Sequence, residues 1–228
     1  ARDFFMKPTS GDFESREGYR PYVEGYFIHL PDAYDDYTIG EHKLPGLEMY
    51  RAAAAHSAAH IVHTQDPISA ESLNPWQMAV ISVIEDARVE TLAVRKFPGL
   101  RHLWAQLHTI ESGQGKSAGD YLNRLARALL DDSYQDSDPW IAQGRVLFKQ
   151  AAERLDTNQV SWDIGVQLAH EFAHGGTAKR IPFNPRTDLL TAPYRDDNRY
   201  FWEFEEFDFD KAMSAGYEAP KQVRKHVS

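Results

Sequence analysis

The sequence predicts a mostly α fold: a multi-helix bundle with a short extended N-terminal arm and an irregular aromatic and acidic C-terminal segment. Three observations carry this expectation. Leu47–Thr64 (LEMYRAAAAHSAAHIVHT) is alanine-rich with no internal breaker, and alanine is the best helix former. The stretch after Asn74-Pro75 is apolar nearly all round in its first half, as expected of a helix in the centre of a bundle. Helix-start signals recur along the rest of the chain, whereas only one run reads as a strand.

Taken in order, residues 1–45 form the arm, with one apolar run, Tyr22–Leu30, closed by Pro31 and read as a strand or extended piece. Pro45-Gly46 ends it and the bundle spans 46–176. The second helix opens with Asn74 as cap and Pro75 at its first position, and runs to Pro98-Gly99. Leu100–Ile110 continues as a third, stopped by SGQGKS. A fourth, Ala118–Leu130, aligns Tyr121, Leu122, Leu125 and Leu129 on one stripe. A fifth starts at Asp138-Pro139 and carries Trp140 through Leu155, and a sixth covers about Ser161–His174. Residues 177–228 lose this periodicity. Alternation in FWEFEEFDFD suggests a docking segment or edge strand there, with a packed C-terminal arm as the alternative.

Composition narrows the function classes. The 228 residues include no cysteine, which excludes thiolate zinc sites, iron–sulfur clusters and a Cys nucleophile, leaving His, Asp and Glu as metal ligands. The same absence fits a cytoplasmic protein. With 25 Lys+Arg against 34 Asp+Glu, a net charge of −9 argues against nucleic acid or anionic lipid as partner. No segment approaches the roughly 20 apolar residues of a membrane span.

Four motifs could carry chemistry. His56, His60 and His63 lie at i, i+4 and i+7 on the first long helix, so two imidazoles one turn apart offer a ready site for zinc, iron or another divalent ion; hydrogen-bonded histidines in a tight helix contact are the alternative. The cluster Glu85-Asp86-Ala87-Arg88-Val89-Glu90 interrupts the most apolar helix, where charges are costly unless paired or metal-bound. Glu85 can pair with Arg88, or Glu85 or Asp86 can complete a site with His56 and His60; Glu85 is the expected ligand. His170-Glu171-Phe172-Ala173-His174 is an H-E-x-x-H on a predicted helix, with two metal ligands and, in Glu171, a general base if the protein is a hydrolase. Its third ligand could be Asp188, Glu203, Glu205, Glu206 or His226; a capped surface helix end, or a contribution to one site shared with His56 and His60, are the other readings. Gly113-Gln114-Gly115-Lys116-Ser117 ends like a phosphate loop, but Ile110 stands where the first glycine belongs and a helix precedes it, so no nucleotide is expected.

The order of these pieces resembles the N-terminal helical region of the NorD/CbbO family. The likeness is carried by Leu30-Pro31, Tyr50-Arg51 before His56 and His60, the Glu85-Asp86-x-Arg88-x-Glu90 cluster and Pro98-Gly99-Leu100. It implies an accessory protein, without autonomous activity, that helps a MoxR-type AAA+ ATPase activate or remodel a target enzyme such as nitric oxide reductase or Rubisco. Two departures stand out. Ser57, Ala58 and Ala59 and then Ile61-Val62-His63 replace the Gln- and Gly-containing pattern common in that family. The Asp-x-Ser-x-Ser run of its von Willebrand factor A domain is missing, so a fragment or a shortened relative is expected, with the basic end KQVRKHVS leading to a missing domain.

Overall fold

The computed structural model describes residues 5–9, 20–25, 27–39, 42–175, 179–185, 188 and 192–203. Its arm comprises β1 (Phe5–Thr9), β2 (Tyr22–Glu24), β3 (Phe27–Pro31), β4 (Tyr37–Ile39) and β5 (His42–Leu44). The helices are α1 (Gly46–His63), α2 (Pro75–Lys96), α3 (Gly99–Ala105), α4 (Ala118–Leu130), α5 (Pro139–Gln150) and α6 (Gln159–His174). A parallel pair, β6 (Ile68–Ser69) and β7 (Trp202–Glu203), closes the described chain. The molecule is thus a mostly α bundle. None of its described helices is long and apolar enough to cross a membrane.

Helix starts follow the side chains that cap them. Asn74 accepts from the Gln77 amide, Gln77 returns the bond to the Asn74 amide, and Pro75 begins α2. Ser117 and Asp120 repeat the arrangement on α4, and Asp138 caps α5 through the Trp140 amide. The Asp120 carboxylate also packs against Gly115, filling the loop that ends like a phosphate-binding motif. The N-cap of α1, Pro45, offers no side-chain bond, but the Asp36 carboxylate accepts from the Gly46 amide at 3.0 Å; Gly46 lies so close to the Tyr34 carbonyl that a Cβ would stand 1.8 Å from the oxygen.

Three expectations about the elements change. Helix α5 ends at Gln150 instead of carrying on to Leu155, because the chain tightens into a 3-10 turn over Ala152–Arg154. The run Tyr22–Leu30 is a hairpin rather than one strand: Gly25 adopts φ +58°, and β2 pairs antiparallel with β3, Val23 opposite Ile28. β1 adds to the other edge of β3 in parallel. Helix α3 stops at Ala105 instead of reaching Ile110, because the chain turns and buries Leu107 and His108. The run beyond Glu203, including most of FWEFEEFDFD and the basic end, lies outside the described residues.

The core has two parts that meet at α2. Val80, Val83, Ile84 and Ala87 face a cluster with α4, α5 and α6 that includes Leu125, Trp140, Leu168 and Phe172. Val89, Ala93 and Val94 face a second cluster with α1, α3 and β3 that includes Met49, Ala52, Trp104 and Tyr194. The polar stretch from Glu85 to Glu90 lies where the two meet.

Helix α6 can lie this close to α2 because Gly165 has no side chain. A Cβ there would stand 2.4 Å from Ile81 Cγ1 and 2.7 Å from Ile81 Cα. Gly165→Ala is therefore expected to cost about 1–3 kcal/mol, despite alanine's better helix propensity, because the contact includes backbone that cannot swing aside. An unchanged or raised denaturant midpoint for this variant would show that the two helices separate freely.

Candidate metal centre

Helices α1 and α2 pack so that the histidine face of one meets the acidic stretch of the other, and the segment Ala192–Asn198 closes the third side. His56, His60, Asp86 and Asp196 each offer one ligand atom, and the four atoms lie within 4.8 Å of one another. This group could hold a metal ion. His60 Nε2 is 3.2 Å from Asp86 Oδ1 and 3.9 Å from Asp196 Oδ1; His56 Nε2 is 3.8 Å from each of those oxygens. Four ligands around an ion at bond lengths near 2.0–2.1 Å would stand roughly 3.3 Å apart, so small movements bring the set into contact with one ion. All four side chains are at most 1% exposed.

The surrounding residues decide which atoms face inward. Thr64 spends its only hydroxyl proton on Glu85 Oε1, at 2.7 Å, so its oxygen must accept from His60 Nδ1, 3.1 Å away. With a proton fixed on Nδ1, His60 turns Nε2 toward the two aspartates, hydrogen-bonded to Asp86 Oδ1 at 3.2 Å, and a bound metal would take the place of the proton in that bond. His56 is oriented in the same sense, with Nδ1 3.2 Å from Glu90 Oε1 and Nε2 toward the two aspartates. Glu90 is held in turn by Arg195, at 2.7 and 3.0 Å, and by the Tyr194 hydroxyl at 2.9 Å. A carboxylate or hydroxyl behind each imidazole is the arrangement that fixes ring orientation in metal sites. Trp104 and Tyr194 meet His56 edge to face and complete the wall.

Charge points the same way. The buried group contains four carboxylates, Glu85, Asp86, Glu90 and Asp196, against two guanidiniums, Arg88 and Arg195. That leaves two excess negative charges; a protonated His56 offsets one of them, and a divalent cation taking its place would offset both. The excess also acts on protons. Burial disfavours a charged imidazole at His56, but Asp196, Glu90 and Asp86 outweigh it and raise its pKa to about 9. Burial likewise disfavours the Asp196 carboxylate, yet His60 and His56 hold its pKa at about 2. A metal must displace the His56 proton to bind. Five of the eight buried polar atoms without an aligned hydrogen bond among the described residues belong here: His56 Nδ1 and Nε2, Asp86 Oδ2, Arg195 Nη1 and Asn198 Oδ1. Of these, His56 Nε2 has a lone pair that a cation at the site would satisfy, whereas Arg195 Nη1 lies 3.5 Å from Asp86 Oδ2 and His56 Nδ1 lies 3.2 Å from Glu90 Oε1.

Glu85, the expected ligand, is placed elsewhere. It turns away from the imidazoles and accepts four bonds, two from Arg88 at 2.6 and 2.7 Å and one each from Thr64 and Ser161 at 2.7 Å. Its neighbour Asp86 takes the position among the ligands, and Glu85 supports His60 through Thr64. His63 also lies outside the group, its carbonyl accepting from Arg88 Nη2. His170 and His174 are exposed on the last turns of α6, their rings stacked 5.0 Å apart, and Glu171 accepts from Gln167 Nε2. Among the described residues they form no metal-holding group with Asp188, Glu203 or the buried histidines; Glu205, Glu206 and His226 lie outside those residues. Sequence reasoning missed Asp196, Arg195 and Asn198. The available signal was a polar run, Arg195–Asn198, set between Tyr194 and the aromatic pair Tyr200-Phe201. No protein-family model, curated protein or solved structure matches this chain, so the centre is read from its own geometry.

Proposed function

We propose that the protein is a helical accessory module with an architectural metal centre, in which His56, His60, Asp86 and Asp196 hold one zinc or iron(II) ion. The observation that carries this reading is the closure of the site: four converging ligand atoms on side chains at most 1% exposed. Structural metal sites are closed by protein ligands, whereas catalytic ones keep a position for water or substrate. Two imidazole nitrogens and two carboxylate oxygens, with no sulfur, suit zinc or iron(II) better than copper(I) or a softer ion. The ion ties α1 to α2 and fixes the outer surface they present.

The resemblance to NorD/CbbO proteins supplies the role for that surface: an adaptor for a MoxR-type AAA+ ATPase and a target enzyme. The helix order, Tyr50-Arg51 with the following histidine pair, and the Glu85–Glu90 cluster support it. The alternative, a zinc hydrolase using His170, His174 and Glu171, needs a further ligand from outside the described residues.

Elemental analysis of the purified protein tests the main reading. One zinc or iron per chain is expected, lost in the His56→Ala/His60→Ala double variant and retained in His170→Ala. Metal lost in His170→Ala but kept in the double variant would reverse the assignment. Binding of the purified MoxR-type ATPase is expected to survive Glu171→Gln, and its absence for the wild-type protein would remove the adaptor role.

A further inference from the structure

The segment Ala192–Asn198 has no helix or strand of its own, yet Tyr194, Arg195 and Asp196 are at most 2% exposed. What anchors it is largely polar and aimed at one place. Tyr194 and Arg195 bind Glu90, Asn198 donates to Asp86 at 2.9 Å, and Asp196 faces His56 and His60. Its continuation, β7, pairs with β6 over only two residues, through Ile68 N to Phe201 O and Ala70 N to Glu203 O at 2.8 and 2.9 Å. So short a pair has little stability of its own.

Docking this segment also has an electrostatic cost. It brings the Asp196 carboxylate within 4.8 Å of Asp86 in the buried interior, where like charges repel more strongly than in water. Arg195 arrives with it, but its guanidinium lies against Glu90 and Asp86, with Nη1 3.5 Å from Asp86 Oδ2. A cation between the two aspartates turns that repulsion into attraction.

We propose that the ion is a latch for the segment spanning residues 192–203: ion binding, docking of Asp196 and formation of the β6–β7 pair are one coupled equilibrium. The inference rests on the metal reading given above. Helices α1 and α2 alone supply three ligands, His56, His60 and Asp86. The fourth comes only with the docked segment, so the ion binds the docked state more tightly and by linkage stabilises it.

Hydrogen exchange on the full chain, stripped of metal with a chelator and then reloaded with zinc(II), tests the latch. Zinc should slow exchange of the amides at 194–203 and 68–70 by about 100-fold or more, a larger change than in the interior of α1 and α2. Asp196→Asn should weaken zinc binding by at least the roughly 10–100-fold that loss of an outer supporting partner costs, and should abolish the zinc-dependent protection. Zinc binding at one per chain with unchanged protection at 194–203 would overturn the latch and leave the metal site standing. No zinc binding by the wild-type chain would overturn both. Should Asp196→Asn not fold, the wild-type comparison decides by itself.

Discussion

Arg195→Met is expected to lower the melting temperature by about 6–20 °C. The guanidinium is completely buried, with Nε and Nη2 on the two oxygens of Glu90 and Nη1 beside Asp86. Methionine keeps much of the side-chain length and apolar contact but leaves Glu90 with only the Tyr194 hydroxyl and the edge of His56. Removing one member of a buried pair typically costs about 3–5 kcal/mol, because the survivor is left as an uncompensated charge. In a chain of this size each kcal/mol moves the melting temperature by roughly 2–4 °C, which gives the stated range. Arg51→Met is the reference, since Arg51 is largely exposed against Glu48 and contributes little. A shift for Arg195→Met no larger than that of Arg51→Met would mean that the buried network does not hold the third side of the centre in place.

Glu85→Gln and Asp86→Asn should separate stability from metal binding, although they alter adjacent carboxylates on one helix. Glu85→Gln removes the charge that balances Arg88 and sets an amide group against donors from Arg88, Thr64 and Ser161, so a loss of about 3–5 kcal/mol is expected. It should nonetheless still bind one ion, with affinity reduced roughly 10–100-fold through the loosened Thr64–His60 contact. Asp86→Asn removes a ligand oxygen and should abolish stoichiometric binding. Thermal melts beside zinc titrations of the two variants distinguish the roles. If Glu85→Gln lost the ion while Asp86→Asn kept it, Glu85 would be the ligand after all.

Much of the helical frame was legible because its signals are local. Asn74-Pro75, Ser117 with Asp120, and Asp138-Pro139 mark helix starts through bonds that each residue makes with its own neighbours. The histidine pair was legible for the same reason, since i, i+4 spacing alone places His56 and His60 on one face. Choosing between Glu85 and Asp86 was not a local matter. Adjacent helical positions differ by about 100° in direction, and which of the two faces α1 depends on how α2 is rotated between its two apolar clusters. Asp196 was harder still. It lies in a segment without a period, 110 positions after Asp86, and is brought in by pairs that exist only in the folded chain. The H-E-x-x-H motif carried its own counter-signal. Val160, Ile164, Leu168 and Phe172 form the buried stripe of α6 at steps of four, and His170 stands two residues, or about 200°, from Leu168.

Helix α2 borders both apolar clusters, and this gives its length a meaning that the connecting turns do not share. Its 22 residues act as a keyed shaft: Val80, Val83 and Ile84 engage one side near the beginning, and Val89, Ala93 and Val94 engage the other near the end, with Asp86 between them. One residue added or removed near the middle would twist the far half by about 100° relative to the near half. No rotation of the whole rod could then seat both sets at once, so spelling changes are tolerable along this helix where changes of count are not.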